Sequence, residues 1–218
     1  GDALIVGGED HKTGQADDAD QRYLRLEAWA LERFPALGPV THRWSGQVLE
    51  PVDGLAFIGP NPLDAPNVFV ATGDSGMGMT HGTIAGILLT DLLVGLPNPW
   101  APLYDPARKT LRAVSAFARE NANVALQYAQ WVTPGDLPGE EILPPGAGAV
   151  LRRGLAKVAV YRDPEGILHE CSAVCPHLGG IVAWNSGEHT WDCPCHGSRF
   201  SARGEVLNGP ALTGLGPP

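Results

Sequence analysis

All four cysteines of the 218-residue chain, Cys171, Cys175, Cys193 and Cys195, fall in its last quarter, and the residues around them could do metal chemistry. Cys175-Pro176-His177 is a C-x-H pair. Cys193-Pro194-Cys195-His196 contains a C-x-x-H pair, and 15 residues lie between His177 and Cys193. Two such pairs on tight Pro/Gly-rich loops can approach one metal centre from two sides. Two thiolates with two imidazoles suit a tetrahedral zinc or a two-iron cluster. A disulfide framework normally staples a short secreted chain, whereas the first 170 residues here hold no cysteine. Clustered cysteines of this kind point to metal. Both loops, CPHLGG and CPCHGS, place glycine just behind the histidine, where backbone is expected to pass close to an inorganic core.

A second candidate lies between Thr72 and Gly86, TGDSGMGMTHGTIAG. A strand, then Gly73, Gly76, Gly78 and Gly82, then a helix is the shape of an anion- or cofactor-binding turn. Glycines admit close approach, and a helix start offers free N–H groups and the positive end of its dipole. The spacing is not the dinucleotide fingerprint, and no strand with a ribose-binding acid follows at the expected distance. The residues alone leave open a cofactor turn and a plain strand-to-helix turn. Of the remaining histidines, His11, His42, His169 and His189 read as surface or satisfied polar groups. His81 stands apart because it lies in this turn.

The cysteine and histidine loops resemble the Rieske [2Fe-2S] family, whose motif is C-x-H, a spacer and C-x-x-H. The likeness extends to Leu178, Gly179, Trp184-Asn185, Trp191-Asp192, Gly197-Ser198, Gly204 and Asn208-Gly209-Pro210, over about residues 140–218. It implies that Cys175 and Cys193 hold one iron, which stays ferric, and that His177 and His196 hold the other, which accepts the electron. Neutral imidazoles in place of two thiolates ease reduction, and hydrogen bonds to sulfur ease it further. Ser198 is placed to donate one. Related domains with CPCHGS often carry another cysteine after the first loop's Leu-Gly, which would pair with Cys195. Gly180 stands there, and Cys171 is not expected to substitute. Phe200 sits where high-potential relatives have a tyrosine. Both departures imply a potential below the roughly +300 mV at the top of the class.

From about Gly7 to Pro106 the chain is similar to the C-terminal half of the D-amino-acid-oxidase-like FAD-dependent oxidoreductases. The residues are Gly8-Glu9-Asp10, Arg43-Trp44-Ser45-Gly46, Pro51 to Gly59, Val68 to Gly73, Gly76-Met77-Gly78-Met79, Gly82, Gly86 and Asp91-Leu92-Leu93. The resemblance implies that Gly76, Met77, Gly78, Met79 and Thr80 face the flavin, and that the helix start favours its anionic reduced form. Arg43 and Trp44 are candidates for the substrate side. The family's opening G-x-G-x-x-G turn is not found before Gly73. The chain therefore reads as the C-terminal part of a larger flavoprotein, or one chain of a split one. The expected partner is the missing N-terminal flavoprotein portion. This fragment alone is expected to hold the cluster but little FAD, and to be inactive by itself.

These sites need elements to position them. Ala3 to Val6, Val40 to Leu49, Leu55 to Ile58 and Asn67 to Thr72 read as strands, and Asp17 to Phe34 and Thr80 to Val94 as helices. Asp105-Pro106 reads as an N-cap with Pro at the first helical position. In the helix expected to follow, Val114, Phe117, Asn121, Val124, Tyr128 and Trp131 recur at helical spacing and predict one packed core face. Thr133 to Glu140 is a linker signal. Beyond it, Ala149 to Arg152, Lys157 to Tyr161 and Ile167 to Glu170 read as short strands around tight turns. The expected class is α+β: a truncated flavoprotein portion of mixed sheet plus helices over 1–133, a linker at 134–140, and an all-β Rieske domain over 141–218.

Composition bounds the function. With 15 Lys and Arg against 24 Asp and Glu, the net charge is −9, a poor basis for binding nucleic acid or anionic lipid. The apolar run from Ile84 to Leu96 is interrupted by Thr90 and Asp91 and falls short of the roughly 20 residues of a membrane span. The start, GDALIVGGEDHK, has no basic region or small-residue cleavage pattern, so a cytoplasmic location is expected. The implied function is electron transfer through the cluster within an FAD-dependent oxidoreductase acting on an amine or amino acid C–N bond, with an unidentified electron acceptor. Two other readings stand beside it. One is a structural or docking module without a redox partner. The other is a Rieske oxygenase, for which no two-His-one-carboxylate iron site is found.

Overall fold

A computed structural model describes residues 3–110 and 113–218. Its helices are α1 (Ala19–Arg33), α2 (Gly78–Leu93), α3 (Ala101–Tyr104) and α4 (Val114–Gln127), followed by 3-10 turns at Tyr128–Val132 and Glu140–Ile142. Its strands are β1 (Phe57–Pro60), β2 (Phe69–Thr72), β3 (Gly148–Arg153), β4 (Ala156–Arg162), β5 (Leu168–Ser172), β6 (Ala183–Asn185), β7 (Thr190–Asp192), β8 (Arg199–Ser201) and β9 (Val206–Asn208). None of the described helices is long and apolar enough to cross a membrane.

The chain divides into two compact units, one of residues 1–45 with 122–218 and one of residues 46–121. In the second, β1 and β2 form an antiparallel pair. Of the expected mixed sheet this pair is what the described residues contain. Ile58 and Ala56 bury against Ala85 and Leu88 of α2 and against Tyr104. Beside them Arg108 forms a forked ion pair with Asp53, at 2.7 and 2.8 Å, and donates to the Ala56 carbonyl at 2.8 Å. That guanidinium holds the Asp53 carboxyl down at about 2.

The first unit contains an all-β region. Strands β3, β4 and β5 form an antiparallel sheet, and β6 to β9 a second one. The side-chain period of two decides β4: Val158 and Val160 pack with Leu143, Ala149 and Leu151, while Ala159 turns the other way, toward Trp191, Phe200 and the cysteines. The segment before β3 is tied to it. Gly135 bridges to Leu151, Asp136 exchanges hydrogen bonds with Val150, and the buried Lys157 donates to the Thr133 carbonyl at 2.7 Å.

Three local expectations are corrected. Ala3 to Val6 and Val40 to Leu49 form no strand: among the described residues no β-ladder runs along either, although the Leu49 carbonyl takes the Ser75 N–H at 3.1 Å. Asp105 caps no helix: it ends α3, its carboxylate takes the Ala107 N–H at 2.8 Å, and α4 starts only at Val114. The helical stripe is not one core face. Val114 and Phe117 are exposed, and only Val124 and Tyr128 pack on the cysteine-lined core.

Candidate metal centre

The four candidate ligands stand on two hairpin tips of six residues with the same backbone closure. Loop 1 runs from Cys175 to Gly180 above the bridge between Val174 and Ile181. Loop 2 runs from Cys193 to Ser198 above the β7–β8 pair Asp192 and Arg199. In loop 1 the Cys175 N–H donates to the Gly180 carbonyl at 2.8 Å and the Gly179 N–H to the Cys175 carbonyl at 2.9 Å. In loop 2 the Cys193 N–H donates to the Ser198 carbonyl at 2.8 Å and the Gly197 N–H to the Cys193 carbonyl at 3.0 Å. The fifth residue of each loop is a glycine in the left-handed region, Gly179 at φ 74° and Gly197 at φ 79°, where a side chain is strained. An added Cβ at Gly179 would meet nothing within 4 Å. The turn itself therefore calls for glycine, and no protein atom crowds that position.

The first position of each loop points inward and the histidines sit further out. Cys175 and Cys193 are buried, His177 is half-buried and His196 is exposed. The two rings lie edge to face with centroids 4.9 Å apart. The thiols pair with each other. Cys193 hydrogen-bonds the Cys175 sulfur and holds Cys175 down against the effect of burial, helped by the His177 backbone N–H and the Ser198 side chain. Cys193 is pushed up because it keeps the shared proton and is itself buried. Burial, then the neighbouring His177, lowers His196. Ser198 is fully buried, and its Oγ accepts the Ala211 N–H at 3.0 Å.

Asp192 and Arg199 brace the base of loop 2. The carboxylate takes Arg199 Nε at 3.0 Å and Nη2 at 3.1 Å, together with Thr190 Oγ1 and Asn185 Nδ2, both at 2.9 Å. Cys195 turns toward loop 1: a Cβ built on Gly180 would lie 2.6 Å from its Sγ and 3.4 Å from its Cβ. Cys171 is buried elsewhere, beside Ala159 and Gly204.

A two-iron group fits these residues. His177 Nδ1 is buried with no hydrogen-bond partner, a costly state for a polar atom unless something coordinates it. Among the described residues, no three His, Cys, Asp or Glu side chains close on a single ion. The donor set is instead split, thiol beside thiol and imidazole beside imidazole, as an asymmetric two-iron group needs.

Residues 137–216 match the family described as Rieske [2Fe-2S] domain, and residues 1–92 match FAD dependent oxidoreductase. The iron-sulfur subunit of the cytochrome b6-f complex from Synechococcus elongatus is 30% identical over 137 residues, 63% of this chain and 71% of that protein. The chain belongs to the Rieske [2Fe-2S] family. A Bacillus subtilis (strain 168) protein with the provisional name Rieske 2Fe-2S iron-sulfur protein YhfW is 38% identical over 214 residues, 97% of this chain. The chain spans 42% of the length of that relative. Among solved structures, the plasma membrane Rieske protein PetC3 from Synechocystis PCC 6803 is 31% identical over 32% of this chain and 71% of its own, with a TM-score of 0.30. The two family matches imply a [2Fe-2S] cluster and FAD as cofactors.

Gly76 and Met77 lead into α2, and Gly78, Met79 and Thr80 form its first turn; all five are exposed. Asp74 stands beside them: its carboxylate takes the Gly76 N–H at 3.3 Å, and its backbone carbonyl meets His81 Nδ1 at 3.0 Å. His81 thus lies in the first turn of α2, tied through Nδ1 to the residues that lead into the helix. Arg43 pairs with Glu27 at 3.0 Å and Trp44 is exposed.

Sequence reasoning missed the outer supports of the loops. The Tyr128 hydroxyl donates to the Leu178 carbonyl at 2.7 Å and Trp131 Nε1 to the Gly179 carbonyl at 2.9 Å. Gln15 Nε2 donates to the Pro194 carbonyl at 2.9 Å. Tyr128 and Trp131 read as core packing in the helical stripe, and Gln15 carries no local signal.

Proposed function

We propose that Cys175 and Cys193 hold one iron of a [2Fe-2S] cluster and that His177 and His196 hold the other. The observation that carries this is the orphaned His177 Nδ1 beside a split donor set on two equivalent loops. When bound, such a cluster supplies one-electron transfer. The protein's part is to keep the thiols in a dry interior and leave the His196 edge open, so that a partner can approach on the imidazole side. The Ser198 hydroxyl, already directed to Cys175 sulfur, stabilises negative charge there. Phe200 is buried in the same cluster of side chains and brings no hydroxyl, which favours a potential below that of respiratory-complex centres.

The match of residues 1–92 to FAD dependent oxidoreductases supports a wider reading. The whole protein would oxidise the C–N bond of an amine or amino acid at FAD, with Gly76 to Thr80 at the flavin, and pass electrons singly to the cluster. The N-terminal flavoprotein portion is then the partner of this region. The test is anaerobic: the reduced protein is expected to show a rhombic EPR signal with two irons and two sulfides per chain. Zinc in elemental analysis would overturn the cluster. In the full-length protein, amines and amino acids should bleach the flavin and then raise the EPR signal. Bleaching without that signal would remove the relay.

A further inference from the structure

One helical face grips both ligand loops from outside the matched Rieske region. Asn123 and Gln127 lie one turn apart at the end of α4, and Tyr128 and Trp131 one turn apart in the 3-10 turn that continues it. Tyr128 and Trp131 donate directly to two successive carbonyls of loop 1, those of Leu178 and Gly179. Loop 2 is reached through a relay: Gln127 Nε2 donates to Asn123 Oδ1 at 3.2 Å, Asn123 Nδ2 to Gln15 Oε1 at 3.2 Å, and Gln15 Nε2 to the Pro194 carbonyl. The contact at Gln15 is tightly built. Gly14, at φ 70°, lies so close that a Cβ there would stand 2.7 Å from Pro194 N and 2.8 Å from the Asp192 carbonyl.

We propose that Gln15, Tyr128 and Trp131 are positioning residues of the cluster: three donors that fix both ligand loops and hold the reduction potential up. The inference rests on the cluster reading above. Each of the three presents the positive end of an O–H or N–H dipole to a carbonyl on a ligand loop. Reduction adds negative charge at the cluster, and positive dipole ends aimed at its loops favour that charge. All three act in the same direction. Gln15 comes from the region matched to FAD dependent oxidoreductases, and Tyr128 and Trp131 from the segment between the two family matches, so residues outside the Rieske match tune the cluster.

The test is an EPR-monitored redox titration of the full-length protein and of Y128F/W131F, with iron content measured in each. The double variant is expected to keep its iron and to show about a tenfold lower reduced-to-oxidised ratio at the wild-type midpoint, a downward shift of about 59 mV for one electron. Q15L is expected to move in the same direction by about threefold. An unchanged or raised midpoint with full iron would overturn the proposal. If the double variant loses its iron, Y128F and W131F carry the test singly, each expected to lower the midpoint, and wild-type midpoints in both would overturn it. A wild-type protein without the rhombic signal would instead overturn the cluster reading, a separate result.

Discussion

The two ligand loops share a backbone and differ in almost everything attached to it. Both close with the same pair of hydrogen bonds between their first, fifth and sixth residues, and both spend a glycine on the same left-handed position. Histidine is third in loop 1 and fourth in loop 2, so the closure does not fix where the imidazole stands. It fixes the cysteine, which at the first position continues inward from the strand below and is buried in both loops. The supports also differ. Loop 1 rests on the apolar pair Val174 and Ile181 and is gripped at its tip by Tyr128 and Trp131. Loop 2 rests on the ion pair Asp192 and Arg199, with the Ser198 hydroxyl beneath. A shared turn geometry therefore sets the inner thiols, while unlike surroundings set the outer imidazoles.

Removing a ligand gives the largest effect and tests whether the loops are equivalent. Cys175→Ala, Cys193→Ala, His177→Ala and His196→Ala are each expected to abolish the EPR signal and cut iron to background. A variant of one loop that kept a normal signal would break the equivalence. The next effect falls on loop 2 alone. Asp192→Ala leaves Arg199, about 12% exposed, without its carboxylate, and strips Thr190 and Asn185 of the same acceptor. Breaking a buried pair from one side costs about 3–5 kcal/mol. A denaturant titration should show that loss with the slope unchanged, and a cost below about 1 kcal/mol would mean that the pair is dispensable.

The sequence was most legible where the chemistry is local. The two Cys/His loops, the strands β3 to β5 and helices α1 and α2 follow from spacing, turn residues and periodicity within short windows. What stayed hidden depends on partners far along the chain. Gln15 meets Pro194 across 179 residues, and Trp131 meets Gly179 across 48. A side chain donating to a backbone carbonyl leaves no pattern in the acceptor's sequence. The stripe containing Tyr128 and Trp131 was recognisable, but its polar handles read as passengers of a packed face. Val40 to Leu49 shows the converse: strand-like composition persists as a strand only when another segment pairs with it. Glycine could also mislead, because Gly179 and Gly180 look alike in CPHLGG. One is needed for its φ, whereas the other leaves room for Cys195.

That last difference gives the smallest and most local test. At the sixth position loop 2 has Ser198, which is hydrogen-bonded, and loop 1 has Gly180, open to Cys195. A Cβ on Gly180 would stand 3.4 Å from the Cys195 Cβ, at the short edge of the separation a disulfide spans. In air-saturated buffer, with dissolved oxygen taking the two electrons and two protons, Gly180→Cys is therefore expected to join the two loops through a disulfide to Cys195 once that sulfur rotates away from its present place. The closed loop of about 16 residues predicts a gain near 3 kcal/mol from the restricted unfolded chain, and the short approach reduces this to about 2 kcal/mol. The readout is the denaturant midpoint with and without a reductant that leaves the cluster intact. A gain erased by the reductant identifies the bond. A variant less stable than the parent in both conditions would show that loop 1 needs the space itself and cannot yield to a cross-link.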